Sequence, residues 1–184
     1  MGRNKAWLEF GNESTIARLV RILSGPFESV RIITNEMGAF ESLEIPVLID
    51  MRPDSGPLGG IHTALSTTKH QATFVVGCDY PFINSHFVRG LAGLVPGHDA
   101  VVPRQDRTPI PVCAFYSTRC LPSVEKSLDR GVLEARTFLS HVDVRWVEGH
   151  QLKELDPSGA ALFNLNTPED YAKALTLLEN RDHP

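Results

Sequence analysis

The chain has 184 residues, 42% of them hydrophobic, and a formal net charge of −4 at neutral pH. That length and apolar content suit one domain with its own core, and the acidic balance argues against a nucleic-acid surface, which needs clustered Lys and Arg. Three cysteines, Cys78, Cys113 and Cys120, are an odd number without CxxC or Cys/His spacing, so they read as reduced thiols of a cytoplasmic protein, not as a disulfide frame or a zinc site. No apolar run reaches the length of a membrane span, and no apolar leader segment follows Met1.

In chain order, Thr15 to Leu23 places Ile16, Leu19, Val20 and Leu23 on one face and predicts a helix. Ser29–Thr34 is β-branched and ends at Asn35; Pro46–Ile49 ends at Asp50; both predict strands. Ile61 to Ser66 reads as a helix entered from the glycine-rich loop GPLGGI. Ala72–Val76 is apolar on both faces, which predicts a central, doubly covered parallel strand ending at Gly77-Cys78-Asp79. Ser85 to Leu94 is helical. Asp99–Val102 and Pro111–Tyr116 read as strands, Pro122–Leu128 and Leu133–Leu139 as short helices, and Val144–Val147 as a weaker strand. The last helix has the clearest start: Thr167 can cap, Pro168 fits the first turn, and Asp170 stands where a capping-box acid belongs, with the helix running to about Glu179. Strands alternating with helices predict an α/β fold, a mostly parallel sheet with helices on both faces and ligands beyond the carboxyl ends of the strands.

Asn35, Asp50 and Asp79 are the polar residues at those strand ends. Asp79 within GCDYPFI is suited to a hard cation such as Mg²⁺, which takes one or two protein oxygens and draws the rest from phosphate and water. Capping the following helix is an equally good local explanation. GPLGGI offers close backbone approach and a helix amino end, or simply a tight turn. Lys5 is a mobile point charge suited to phosphate, although an exposed surface lysine is the ordinary reading. In FNLNTPEDY, Asn164 and Asn166 point the same way if extended, and paired amides can read a heterocycle; capping the last helix is the plainer role. Arg104 and Arg107 flank a loop and stand ready for an anion or for solvent. No pair of the seven histidines has metal spacing.

MGRNK, GPLGGI, CDYPFI, PVCAFY and NLNTPEDY follow one another in the order and spacing of the molybdenum cofactor guanylyltransferases, the MobA-like nucleotidyltransferases, and the chain resembles that family from residue 1 to about 175. The resemblance implies a Rossmann-like nucleotidyltransferase fold in a single domain over residues 1–184, with a nucleotide half over about 1–95 and an acceptor half over about 96–184. It implies transfer of GMP from GTP to molybdopterin cofactor with Mg²⁺, in the cytoplasm, with transient contacts to other cofactor-biosynthesis proteins or molybdoenzymes. By the same resemblance Lys5 meets the nucleotide phosphates, Asp79 holds Mg²⁺, and Asn35, Asp50, Gly59 and Gly60 lie against the nucleotide. Arg107, Asn164 and Asn166 fall on the acceptor side. A cytidylyl or sugar-phosphate nucleotidylyltransferase, or a non-catalytic pterin-binding paralogue, is the alternative. The family signature, roughly LAGGxSxRMGxxK, begins with a strand and a glycine-rich loop, whereas this chain starts at its M. The expectation is therefore that Met1 is internal and that a further strand belongs between those ending at Asn35 and Asp79.

Overall fold

Backbone pairing sorts the strands into three groups. In the computed structural model, which describes residues 5–182, the first group is a short hairpin of β1 (Glu9–Phe10) and β2 (Glu13–Ser14). The second is a parallel pair, β3 (Ile32–Thr34) and β4 (Val47–Ile49). The third is a five-stranded sheet. In it β5 (Ala72–Val76) pairs with β8 (Cys113–Ser117), β8 with β6 (Ala100–Gln105), and β6 with both β7 (Thr108–Pro109) and β9 (Val144–Val147).

β8 is antiparallel to both of its neighbours, and β9 is parallel to β6, so β5, β6 and β9 share a direction with β8 reversed among them. β3 and β4 run parallel to each other, and Arg31, just before β3, donates to the Thr67 carbonyl ahead of β5 at 3.0 Å. The sheet strands are thus mostly unidirectional, as the alternation predicts.

Seven α-helices are present among the described residues: α1 (Thr15–Leu23), α2 (Gly56–Thr67), α3 (Ser85–Ala92), α4 (Leu121–Asp129), α5 (Ala135–Phe138), α6 (Gly149–Leu155) and α7 (Pro168–Asp182). The period-2 alternation of β8 explains how both faces are covered. Ala114 and Tyr116 point to one side and pack with Leu58, Ile61 and Leu65 of α2, Val124 and Leu128 of α4, and Phe138. Cys113 and Phe115 point to the other and pack with Leu19 and Leu23 of α1 and with Phe87, Val88 and Leu91 of α3. No helix among the described residues is long and apolar enough to cross a membrane.

Two expectations need correction. Ala72–Val76 is not a central strand: β5 is the edge of its sheet, pairs antiparallel with β8, and all five of its residues are only half-buried, while β8 is buried along its whole length. An apolar run reports that both faces are covered; it does not report whether both edges are paired. GPLGGI is not a loop either. Gly56 opens α2 and Pro57 occupies its first turn, where a missing N–H costs nothing, so all six residues are helical.

Beyond the free edge of β5, a trough of about 710 Å³ separates β5 from β3. Val30, Ile33 and Leu48 line one side, Ala72 to Val76 the other, and Lys5, Gly60 and Asp79 also border it. No strand among the described residues pairs with either free edge. The trough lies where the resemblance assigns a further strand. The expectation about Met1 itself, and the first four residues of MGRNK, fall outside the described range.

Candidate active site around Asp79

Asp79 sits in the turn after β5, half-buried, and three features fix it there. The Gly77 N–H donates to the Val112 carbonyl at 2.9 Å and carries the β5–β8 ladder one step further. Gly77 also lacks a Cβ, and one built there would run into the Asp79 carboxylate, so the side chain can fold back over the backbone only because residue 77 is glycine. Beyond it, Phe82 and Ile83 are buried, Phe82 meeting Phe10 edge-on at 5.3 Å, and Arg18 Nε of α1 donates to the Pro81 carbonyl at 2.9 Å. The local sequence shows the strand-end acid; the glycine two residues earlier has a role only the geometry reveals.

The 164–166 segment meets this turn from the far end of the chain. Leu165 N–H donates to the Asp79 carbonyl at 2.8 Å, and Leu165 is wholly buried beside Phe10 and Phe82. That anchor sets its two flanking asparagines beside Tyr80 and Lys5. Asn164 Nδ2 donates to the Tyr80 hydroxyl at 3.2 Å, while Asn164 Oδ1 is buried without a partner. Asn166 Oδ1 accepts from Lys5 Nζ at 2.9 Å. Lys5 itself is placed by its neighbours, since Ala6 is buried with Ile16, Ile32 and Phe40. Just beyond, Thr167 Oγ1 accepts the Asp170 N–H at 3.1 Å and the Asp170 carboxylate accepts the Thr167 N–H at 2.9 Å, the capping box expected for α7.

Burial pushes the Asp79 carboxyl above the ordinary carboxylate range, while its own main-chain amide, the Lys5 charge and the Asn164 amide pull it back down. Burial likewise raises the Cys78 thiol, with the Asp79 charge adding to the effect. A half-buried carboxylate beside a lysine is a hard oxygen donor, which suits Mg²⁺ better than a soft metal. No cluster of three or more His, Cys, Asp or Glu able to hold a metal occurs among the described residues, so any cation there would take most of its ligands from substrate and water.

The remaining expected residues are arranged differently. Asp50 is buried and turned into the protein: its Oδ1 accepts from Thr63 Oγ1 at 2.8 Å and from the Arg52 N–H at 3.0 Å. Gly59 packs against it, because a Cβ there would lie 2.7 Å from Asp50 Oδ2 and 2.6 Å from the Arg52 carbonyl. Together they hold the amino end of α2 against β4. Gly60, one residue on, has open space above it and borders the trough. Asn35 is exposed at the end of β3. Arg107 lies at the β6–β7 turn, exposed, and the charge it influences is Glu148. Arg104 is locked by two 2.6 Å bonds to Glu148 and lies 4.9 Å over the Trp146 ring. The fold brings Lys5, Asp79, Asn164 and Asn166 together; it does not bring Arg107 into contact with them.

A family model for the MobA-like NTP transferase domain matches residues 1–147. A probable molybdenum cofactor guanylyltransferase of Pelotomaculum thermopropionicum is 35% identical over 98% of this chain and 88% of its own length. A molybdenum cofactor guanylyltransferase of Desulfosudis oleivorans is 28% identical over 94% of this chain and 86% of its own. Among solved structures, molybdopterin-guanine dinucleotide biosynthesis protein A from Archaeoglobus fulgidus superposes with a TM-score of 0.84 at 23% identity, covering 97% of this chain and 92% of that one. The 2-C-methyl-D-erythritol 4-phosphate cytidylyltransferase of Thermus thermophilus gives 0.73 at 15% identity, over 95% and 94%. The two structures share the fold; the extent of the domain match and the sequence identity to the curated relatives carry the assignment further, and the chain belongs to the MobA-like NTP transferase family.

Proposed function

We propose that this nucleotidyltransferase transfers GMP from GTP to molybdopterin cofactor. The observation that carries the reading is the meeting of Lys5, Asp79, Asn164 and Asn166, drawn from both ends and the middle of the chain, at the carboxyl end of β5. It occurs in a chain 35% identical, across nearly its whole length, to a probable guanylyltransferase.

In this reading an oxygen of the acceptor's terminal phosphate attacks the α-phosphorus of GTP in line. The new P–O bond forms as the α–β anhydride bond breaks, and pyrophosphate leaves with the electron pair. Such a reaction asks the protein mainly for position and charge. Lys5, directed by Asn166, offsets negative charge on the phosphate oxygens. Asn164 and Asn166 border the acceptor. Asp79 is the carboxylate that would hold Mg²⁺, and the ion, when bound, supplies further charge neutralisation on the phosphates. Asp50 and Gly59 act one step back by fixing the start of α2, so that Gly60 faces the ligand.

The test is incorporation of label from α-labelled GTP into molybdopterin in competition with CTP and ATP. A site that pairs buried polar groups with one base rejects another by about 100-fold or more, and that preference for GTP is the expected result. Equal use of CTP would overturn the guanylyl assignment in favour of a cytidylyl one.

A further inference from the structure

The turn that carries Asp79 depends on bonds from outside it. Burial of Tyr80, Phe82 and Ile83 anchors the side chains, but the carbonyls of the turn still need partners. Pro81 has no N–H to give, and the bond from Ile83 N–H to the Tyr80 carbonyl is long at 3.4 Å. Two shorter bonds come from distant segments. Leu165 N–H donates to the Asp79 carbonyl at 2.8 Å, and Arg18 Nε donates to the Pro81 carbonyl at 2.9 Å across 63 residues of sequence.

The Arg18 guanidinium is itself held on more than one side. Its side chain is only 18% exposed, and Nη1 donates to Glu13 Oε1 of β2 at 3.2 Å. Its central carbon lies 5.8 Å from the centre of the buried Phe10 ring of β1, the ring that meets Phe82 edge-on. Glu13 is fixed in turn by Arg21, through bonds of 2.6 and 3.1 Å. The planar fork thus reaches two oxygens with two different nitrogens, one on the hairpin and one on the turn after β5. A lysine brings a single nitrogen, which cannot stand in both places. We propose that Arg18 is a positioning residue that braces the Asp79 turn against the β1–β2 hairpin and so keeps the Asp79 carboxylate in place over Gly77. The proposal rests on the reading of this crevice as the site of GMP transfer.

Arg18→Lys keeps the charge and gives up the fork. The first measurement is the side-chain carboxyl ¹³C signal of Asp79 in the ligand-free protein at one fixed pH, assigned by its loss in Asp79→Ala; in Arg18→Lys it should shift, because the carboxylate leaves its place over Gly77. The second is kcat/KM for GMP transfer, expected to fall about tenfold in Arg18→Lys and in Arg18→Met alike, the size of one hydrogen bond to a charged group. In the Asp79→Ala background Arg18→Lys should then have no further effect, because a residue acting through Asp79 has nothing left to position. An unchanged Asp79 carboxyl signal in Arg18→Lys would overturn the proposal. Parental activity in Arg18→Lys would do so too, as would a tenfold penalty that persists in the Asp79→Ala background. The carboxyl spectrum needs no turnover, so an absence of GMP transfer would count against the functional reading alone.

Discussion

β8 and β5 are neighbouring strands with similar apolar sequences, Cys-Ala-Phe-Tyr-Ser and Ala-Thr-Phe-Val-Val, yet one is buried throughout and the other only half-buried along its length. β8 has a strand on each edge; β5 has one on its β8 side and the trough on the other. The same division separates the whole five-stranded sheet from the β3–β4 pair. Cohesion is concentrated around β8, and the candidate chemistry sits at the end of β5, on the border with the looser unit. Sites that bind and release ligands are drawn from the less stable end of a structure, and here the border supplies it.

The largest test of that division is in the core. Tyr116→Ala removes a fully buried ring that packs on Phe138 and whose hydroxyl donates to the Pro111 carbonyl at 2.6 Å. It should cost about 3–5 kcal/mol in urea unfolding, as large-to-small core changes do. Leu48→Ala, on the trough wall, should cost less than half of that; equal losses would mean the two regions are equally cohesive. Hydrogen exchange offers a subtler comparison. Amides of β8 should exchange at least about 100-fold more slowly than those of β3 and β4, a difference expected when one strand opens only with the whole sheet. Matching rates would erase the distinction.

Asp79→Ala asks whether the border carries the chemistry. Turnover should fall by more than tenfold, at least about 1.4 kcal/mol of transition-state stabilisation, while the melting temperature stays within a few degrees of the parent. A variant keeping more than a tenth of the activity would remove Asp79 from the site. Asp79→Asn probes the cost of keeping an acid there. The folded pKa of Asp79 is raised, chiefly by burial, above the 3.8 of a free aspartate side chain. The native state therefore holds this proton more tightly, so the group's contribution to stability is present below the unfolded pKa and lost as pH rises through the folded one. In metal-free buffer Asp79→Asn should melt higher than the parent at neutral pH and show no such advantage at acid pH below 3.8. A lower melting point at neutral pH would show that the charged form is favoured in the fold.

The smallest effect is at the β6–β7 turn. Asp106 and Arg107 both adopt left-handed backbone, φ 47° and 65°, as a tight hairpin turn demands. Arg107→Gly should relieve strain and stabilise the sheet end by about 0.5–1 kcal/mol. If the same change raises the KM for molybdopterin while leaving that for GTP alone, the arginine meets the acceptor in solution despite its distance from the Asp79 cluster. An unchanged KM would leave it as a solvated turn residue.

Local signals carried much of the fold. α1 occupies Thr15–Leu23 as its apolar stripe predicts, β9 occupies Val144–Val147, and the α7 capping box is made by the residues expected to make it. α6 escaped notice because its seven residues bury nothing fully and so leave no apolar period to detect. The β1–β2 hairpin escaped because two-residue strands are too short to alternate.

What the sequence determined by itself is the set of covalently local facts: which segments can be helices or strands, where a polar residue ends an apolar run, and which motifs stand in order. Those are enough to single out Asp79, Lys5, Asn164 and Asn166 as candidates. Tertiary structure alone decided which of them meet. The Lys5–Asn166 bond closes 161 residues of chain, and the Asn164–Tyr80 bond closes 84. Tertiary structure also made β5 an edge, turned Asp50 inward onto Thr63, and gave Gly77 its purpose beneath the Asp79 carboxylate. The reason is physical. Propensity and periodicity describe a residue's relation to its near neighbours, whereas pairing at a strand edge, burial of a carboxylate and the contact that a missing Cβ permits depend on atoms brought in from distant parts of the chain.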